Sequence, residues 1–335
     1  MTNNKQEIDW SSYSVRTDLA VEAHQMAGAV QGTPALMGVE TDSYEEEGIR
    51  VTKMKVKDQI GARMIGKQVG NYLTFEVPGL RKKDPDLQDK VAQKFAEEFR
   101  HFIDLPENAK VLIVGLGNWN VTPDALGPMV VKKVFVTRHL YDHMPDLLGE
   151  GFRPVAAVSP GVLGITGIET GEIVQGIVEN IKPDLVIAVD ALASRALERV
   201  NTTIQVADSG ITPGAGVGNK RKGLNKETLG VPVVAIGVPT VVDAVTIAHD
   251  TIDLLMNHIG QQVPDNACAQ LFDRFNEQEK RQLIHEILQP LGQNLMVTPK
   301  EIDQFIDDIA TVVANGLNMA LHSSITPEDA AMFLH

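Results

Sequence analysis

DLVIAVDALASR, residues 184–195, sets five apolar side chains in a row between two aspartates and then runs into small residues. Nothing polar interrupts 185–189, so neither face of the segment is suited to water. A short run that is apolar on both faces, rich in Val and Ile, reads as a strand of a parallel sheet covered by helices. The pattern recurs at VLIVG (111–115), VFVTR (134–138), PVAAVSP (154–160), TTIQVAD (202–208) and VPVVAIGVP (231–239). Helix-length segments such as IETGEIVQGIVENI (168–181) separate such runs. The expected fold is therefore α/β, a doubly wound, mostly parallel sheet with helices on both faces.

Outward from that centre the pattern changes. IRVTKMKVK (49–57) and YLTFEV (72–77) alternate apolar with polar side chains, which predicts a small antiparallel element near the N-terminus with one wet face. LQDKVAQKFAEEFRHF follows, with Leu87, Val91, Phe95, Phe99 and Phe102 on one helical face. The last third is helical at 241–259, 279–288 and 301–321, and the final helix repeats Ile302, Phe305, Ile306, Ile309, Val312 and Val313 along its core face. Residues 1–45 are polar and irregular and read as an appendage, and GITPGAGVGNKRKGLNKETLG (210–230) as a mobile loop.

Composition narrows the function. A net charge of −14 and a pI near 5.1 leave no basic face, which argues against nucleic acid or an anionic membrane as partner. Cys268 is the sole cysteine, so an internal disulfide is impossible and a cysteine-built zinc site is disfavoured, as suits a reducing cytoplasm. The first twenty residues lack the apolar centre of a signal peptide, and no stretch offers the roughly twenty apolar residues of a membrane span.

In GLGNWNVTPDALGP (115–128) the glycines follow a strand, but a dinucleotide fingerprint needs glycine where Asn120 stands, and the Lys-Ser/Thr of a phosphate loop is absent. The segment instead offers a turn and then a helix from about Pro123, with Asp124 in its first turn at the C-terminal edge of the sheet, where such folds bind ligands. Asp190 ends its own buried run in the same way. If the two strands are neighbours, both acids face one crevice, where they cannot both ionise easily; one then keeps a proton while the other polarises water, an arrangement for amide hydrolysis. Taken singly, Asp124 is a helix-start acid and Asp190 a satisfied edge residue. His139 and His143 have the spacing of a metal pair but read better as a surface helix, His249 reads as a packed histidine, and Asp208 is either a third acid of the crevice or the start of the loop. Two other readings stand beside hydrolysis by paired acids: metal-dependent peptide hydrolysis with Asp124 or Asp190 as a ligand, and a nucleotide- or phosphate-binding module on the glycine turns at 115–117 and 214–218, which the acids oppose.

YSVRTDLAVEAH (13–24), together with GLGNWNVTPDALGP, SPGVLGITGIETGEI (159–173), PDLVIAVDALASR (183–195) and the stretch from SGITPGAGVGNKR to GVPVVAIGVPTVVDA, resembles the germination protease family of spore-forming bacteria. The resemblance runs nearly end to end. It implies an endopeptidase of small acid-soluble spore proteins, acting at germination in the cytoplasm of the spore core and assembled as a homotetramer. It implies a zymogen that cuts itself between Asp18 and Leu19, giving a propeptide of residues 1–18 and one α/β peptidase domain, 19–335, whose C-terminal part from about 241 is helical. Substrates of the family are cut after glutamate in a Thr/Ser-Glu-Ile/Phe-Ala context, which Thr17-Asp18-Leu19-Ala20 approximates. The family is regarded as an atypical aspartic peptidase, and its two acids fall on Asp124 and Asp190. Its fold is similar to that of hydrogenase-maturation endopeptidases, which recognise a metal; no metal or cofactor is carried over to this chain. Lys220, Arg221 and Lys222 are candidates for receiving acidic residues of the substrate.

Overall fold

The computed structural model describes residues 17–144, 148–212, 223–262, 277–288 and 295–330. Among the described residues nine strands make one sheet: β1 (Val39–Glu46), β2 (Ile49–Val56), β3 (Gly70–Glu76), β4 (Val111–Gly115), β5 (Val155–Val158), β6 (Leu185–Ser194), β7 (Thr203–Ala207), β8 (Val233–Asp243) and β9 (Met296–Val297). Their order is β1-β2-β3-β7-β8-β6-β4-β5, with β9 beside the end of β8. The helices are α1 (Ala20–Gln31), α2 (Gln59–Ile65), α3 (Pro85–Ile103), α4 (Leu126–Lys133), α5 (Arg138–His143), α6 (Leu163–Thr166), α7 (Thr170–Ile181), α8 (Lys226–Leu229), α9 (Ala244–Gln262), α10 (Glu277–Leu288), α11 (Ile302–Leu321) and α12 (Pro327–Ala330).

The four strands β8, β6, β4 and β5 run parallel, and their side chains alternate between two cores. Ile113, Ile187, Val189 and Ile236 share one core with α3, α4 and α11, where Phe95 stacks on Phe99 at 5.3 Å and meets Phe75 at 5.5 Å. Leu112, Val114, Val186 and Ala188 point the other way and pack with Val174 and Val178 of α7. Helices on both faces are the physical reason why 185–189 carry nothing polar.

The expected antiparallel element is present in β2 and β3, and it extends the main sheet: β3 pairs with β7, and β7 with β8. Several expectations are corrected. TTIQVAD is accordingly antiparallel to both neighbours. VFVTR is not a strand. Val134 closes α4, Phe135 N–H donates to the Asn318 side chain (2.8 Å), and Thr137 bonds to the Val155 and Arg153 carbonyls, so the run is wholly or half buried up to Thr137 without a ladder partner. Within 1–45, α1 and β1 are regular, and Leu19 and Ala20 are fully buried. An edge strand buried only at intervals carries no apolar period, which is why β1 is silent in sequence. Residues 241–243 belong to β8, and α9 begins at Ala244.

His322, fully buried after α11, lies between the rings of Phe135 (5.7 Å) and Phe152 (5.4 Å) and accepts the Arg153 N–H at Nδ1 (3.3 Å). Burial, aided by the Arg153 charge and opposed by the Phe135 carbonyl, pushes its pKa down from 6.5 to about 4. Because the folded value lies below the unfolded one, this contribution is complete above about pH 6.5 and is lost as pH falls through 6.5 towards 4, at a cost of roughly 3 kcal/mol. Urea titrations of His322→Phe should show a shallower loss of stability across that window than wild type. An equal loss would locate the acid sensitivity in other groups.

Candidate active site

Strands β4 and β6 are parallel neighbours, with Gly115 opposite Val189, so the acids that follow them reach the same end of the sheet. Leu116 N–H donates to the Val189 carbonyl (2.8 Å), holding the chain against β6 for one bond beyond the strand. The chain then turns at Gly117, whose φ of +109° favours glycine. A one-turn helix over Thr122–Asp124 follows before α4 begins at Leu126, so Asp124 closes that turn rather than opening a long helix. Its Oδ2 and its own carbonyl both accept the Asn118 N–H, at 2.9 and 3.1 Å, and the Thr240 hydroxyl of β8 donates to the Pro123 carbonyl (2.7 Å). The acid is tied to the turn in front of it and to β8.

Asp190 stands inside β6, not at its end: the strand continues to Ser194, paired with β8 across a register shift between Leu192 and Ala193. The residues after Asp190 resemble a helix start because they are small, but β8 is long enough to pair with them. Asp190 is 6% exposed, faces Gly237 across the ladder, and accepts the Ala191 N–H at Oδ1 (2.9 Å).

Asp124 and Asp190 line one cleft of 560 Å³ at this edge, and Asp18 lines it with them. The third acid of the crevice is thus Asp18; Asp208 turns away and accepts the backbone and side-chain N–H groups of Asn71 at 2.7 and 2.6 Å. Asp18 pairs with the body of β6, its N–H donating to the Ala193 carbonyl (2.9 Å) and its Oδ2 accepting the Ala193 N–H (2.8 Å). Lys67 Nζ donates to the Thr17 carbonyl (2.9 Å), and Gln205 Nε2 to the Asp18 carbonyl (3.1 Å). Burial raises the pKa of Asp18, with the Ala193 hydrogen bond and the Lys67 charge opposing; burial likewise lowers that of Lys67, against the charges of Asp18 and Glu22.

The glycines of 115–128 do not open space for a phosphate. A Cβ on Gly115 would stand 2.2 Å from the Gly127 carbonyl oxygen, and one on Gly127 2.3 Å from that of Leu116, so they permit the strand-to-helix contact itself. His139 and His143 are exposed on α5, and His249 is buried on α9 with Nδ1 3.3 Å from Asp253. None of the three lines the cleft. Lys220, Arg221, Lys222 and the glycine turn at 214–218 lie outside the described residues. Among the described residues no three His, Cys, Asp or Glu side chains cluster as a metal site, and no helix is long and apolar enough to cross a membrane.

Lys67 and Gln205 were not singled out from the sequence. Gln205 did leave a signal: it is the polar side chain in the middle of TTIQVAD, in the same relation to its run as Asp190 to 184–195. Lys67 left none, since a lysine in GKQVGN reads as an ordinary solvated loop residue.

Two carboxylates in one cleft at the edge of a parallel block, with Asp18 bound against the strand that carries one of them, have a layout suited to an α/β peptidase. Comparison with known proteins agrees. Residues 19–271 and 267–334 match the family model described as germination protease, and the chain is 51% identical to the germination proteases of Bacillus licheniformis, Bacillus cereus and Bacillus mycoides. Each alignment covers 99% of this chain and 100% of the relative. The chain belongs to the germination protease family.

Proposed function

We propose that this chain is the endopeptidase that begins the breakdown of small acid-soluble spore proteins at germination, made as a zymogen that cuts itself between Asp18 and Leu19. One observation supports the reading: Asp18, on the acyl side of the proposed cut, lines the same cleft as Asp124 and Asp190. Residues 1–18 are then the propeptide and 19–335 the peptidase, acting in the spore core as a homotetramer, as the family resemblance implies. A doubly wound description of the sheet belongs to the same reading.

In the mechanism that the site supports, Asp124 and Asp190 share one proton and hold a water between them. The ionised partner takes a proton from the water as its oxygen bonds to the scissile carbonyl carbon. The protonated partner stabilises the developing oxyanion and then gives its proton to the departing amine. The C–N bond breaks, leaving a carboxylate on Asp18 and an amino group on Leu19, and no protein nucleophile is consumed. Lys220, Arg221 and Lys222 remain candidates for contacts with acidic substrate residues.

Mass spectrometry of the full-length chain during incubation should show a product beginning at Leu19, and that product should cut a small acid-soluble spore protein after glutamate with and without EDTA. A chain that stays whole and cuts nothing would overturn the reading, and cleavage abolished by EDTA would transfer it to a metal-dependent mechanism.

A further inference from the structure

Part of the cleft is filled by the chain itself, and Asp18 is bound there through its backbone and its side chain. The Ala193 carbonyl takes its N–H, the Ala193 N–H takes its carboxylate, and Gln205 Nε2 takes its carbonyl. Lys67 anchors the preceding carbonyl, and its charge acts on the Asp18 carboxylate. A half-buried acid and a half-buried ammonium each lose hydration, and their mutual attraction recovers part of that loss, while burial still raises the pKa of Asp18 and lowers that of Lys67. A backbone bond to a strand combined with one side chain read by charge is a common way to hold a peptide residue.

The residues on the other side of the bond are held differently. Leu19 and Ala20 are fully buried and α1 begins there, so they stay with the fold once the bond is cut. Ala20 N–H donates to Gln205 Oε1 (2.6 Å), which fixes the amide with Nε2 towards the Asp18 carbonyl whether or not Asp18 is present. Departure of residues 17 and 18 therefore uncovers the Ala193 N–H and carbonyl, Gln205 Nε2 and Lys67 Nζ, still in place on β6, β7 and the α2–β3 connection.

Resting on the reading of this cleft as the catalytic centre, we propose that these groups form the subsite for the residue on the acyl side of the cut, selective for a carboxylate side chain, and that Asp18 fills it in the uncleaved chain. Ala193 N–H and the Lys67 charge read the acid, Ala193 carbonyl and Gln205 hold the backbone on either side of it, and Gln205 Nε2 polarises the scissile carbonyl. The uncleaved chain is thus blocked by the same contacts that select its substrates, and processing opens the subsite by vacating it.

The test uses full-length Asp18→Asn, Lys67→Met and the double variant, with two readouts. Trypsin nicking after Arg16 reports whether residues 17 and 18 are docked and needs no activity of the chain; each single change should speed it about tenfold, Lys67→Met somewhat more because it also frees the Thr17 carbonyl, and Asp18→Asn should add little in the Lys67→Met background, where the charge interaction is already gone. The self-processed wild type should cut a peptide with Glu or Asp before the scissile bond at least ~10-fold faster than its Gln or Asn counterpart, a preference that Lys67→Met loses and Lys67→Arg largely keeps. Additive nicking rates, or a carboxylate preference that survives in Lys67→Met, overturn the subsite. Coupled nicking in a chain that never cleaves peptide keeps the subsite and overturns the catalytic reading instead.

Discussion

Asparagine at Asp124 or at Asp190 is expected to slow peptide cleavage and self-processing by about 10³-fold or more, with the double variant scarcely slower than either single one. The magnitude follows from the role proposed for the pair, since one acid must be ionised to take the proton from water while the other, still protonated, stabilises the oxyanion and protonates the amine, and asparagine can do neither. Groups that act as one unit lose nearly everything with the first change, so near-equality of the single and double variants is the more telling half of the expectation. Asparagine keeps the size of each side chain and an oxygen to accept the Asn118 or Ala191 N–H, so melting temperatures should stay close to wild type. Rates of purified full-length chains on a Thr-Glu-Ile-Ala peptide, measured with melting curves on the same samples, decide it. Activity within tenfold of wild type in Asp190→Asn, at unchanged stability, would remove that residue from the reaction.

The sequence made much of this site legible, for a local reason. Strands buried on both faces leave long apolar runs, so β4, β6 and β8 are visible without any partner in view, and an acid set in or after such a run stands out because its burial is costly. What escaped reading depends on partners far along the chain. Asp190 looks like a strand end until the length of β8 shows that 191–194 have a ladder to join. Asp18 enters the cleft through bonds to Ala193, 175 residues away, and nothing in the local pattern of 13–24 encodes that pairing. VFVTR failed for the converse reason: apolarity records burial, but the Asn318 side chain and the Arg153 and Val155 carbonyls take the hydrogen bonds that a neighbouring strand would have used.

Gly117→Ala is expected to lower activity on the order of 100-fold through the backbone alone, since a displacement of about 1 Å at a catalytic group costs that much. The position has φ +109°, and an added Cβ would stand 1.9 Å from the Asp124 carbonyl oxygen, a backbone atom that cannot swing aside as a side-chain tip would. The turn must therefore open. Opening separates the Asn118 N–H from both oxygens of Asp124 that it now binds, and shifts the carboxylate relative to Asp190, which is fixed in β6. Strain of this kind also costs about 1–3 kcal/mol of stability, so a drop in melting temperature should accompany the loss. Gly176→Ala in α7 is the matching control: nothing lies within 4 Å of its Cβ position, and alanine in a helix interior gains about 0.5–1 kcal/mol over glycine. If Gly117→Ala cleaves peptide as fast as Gly176→Ala, the turn does not set the position of Asp124, and the acid must be placed by its bonds to β8 through Pro123 and Thr240.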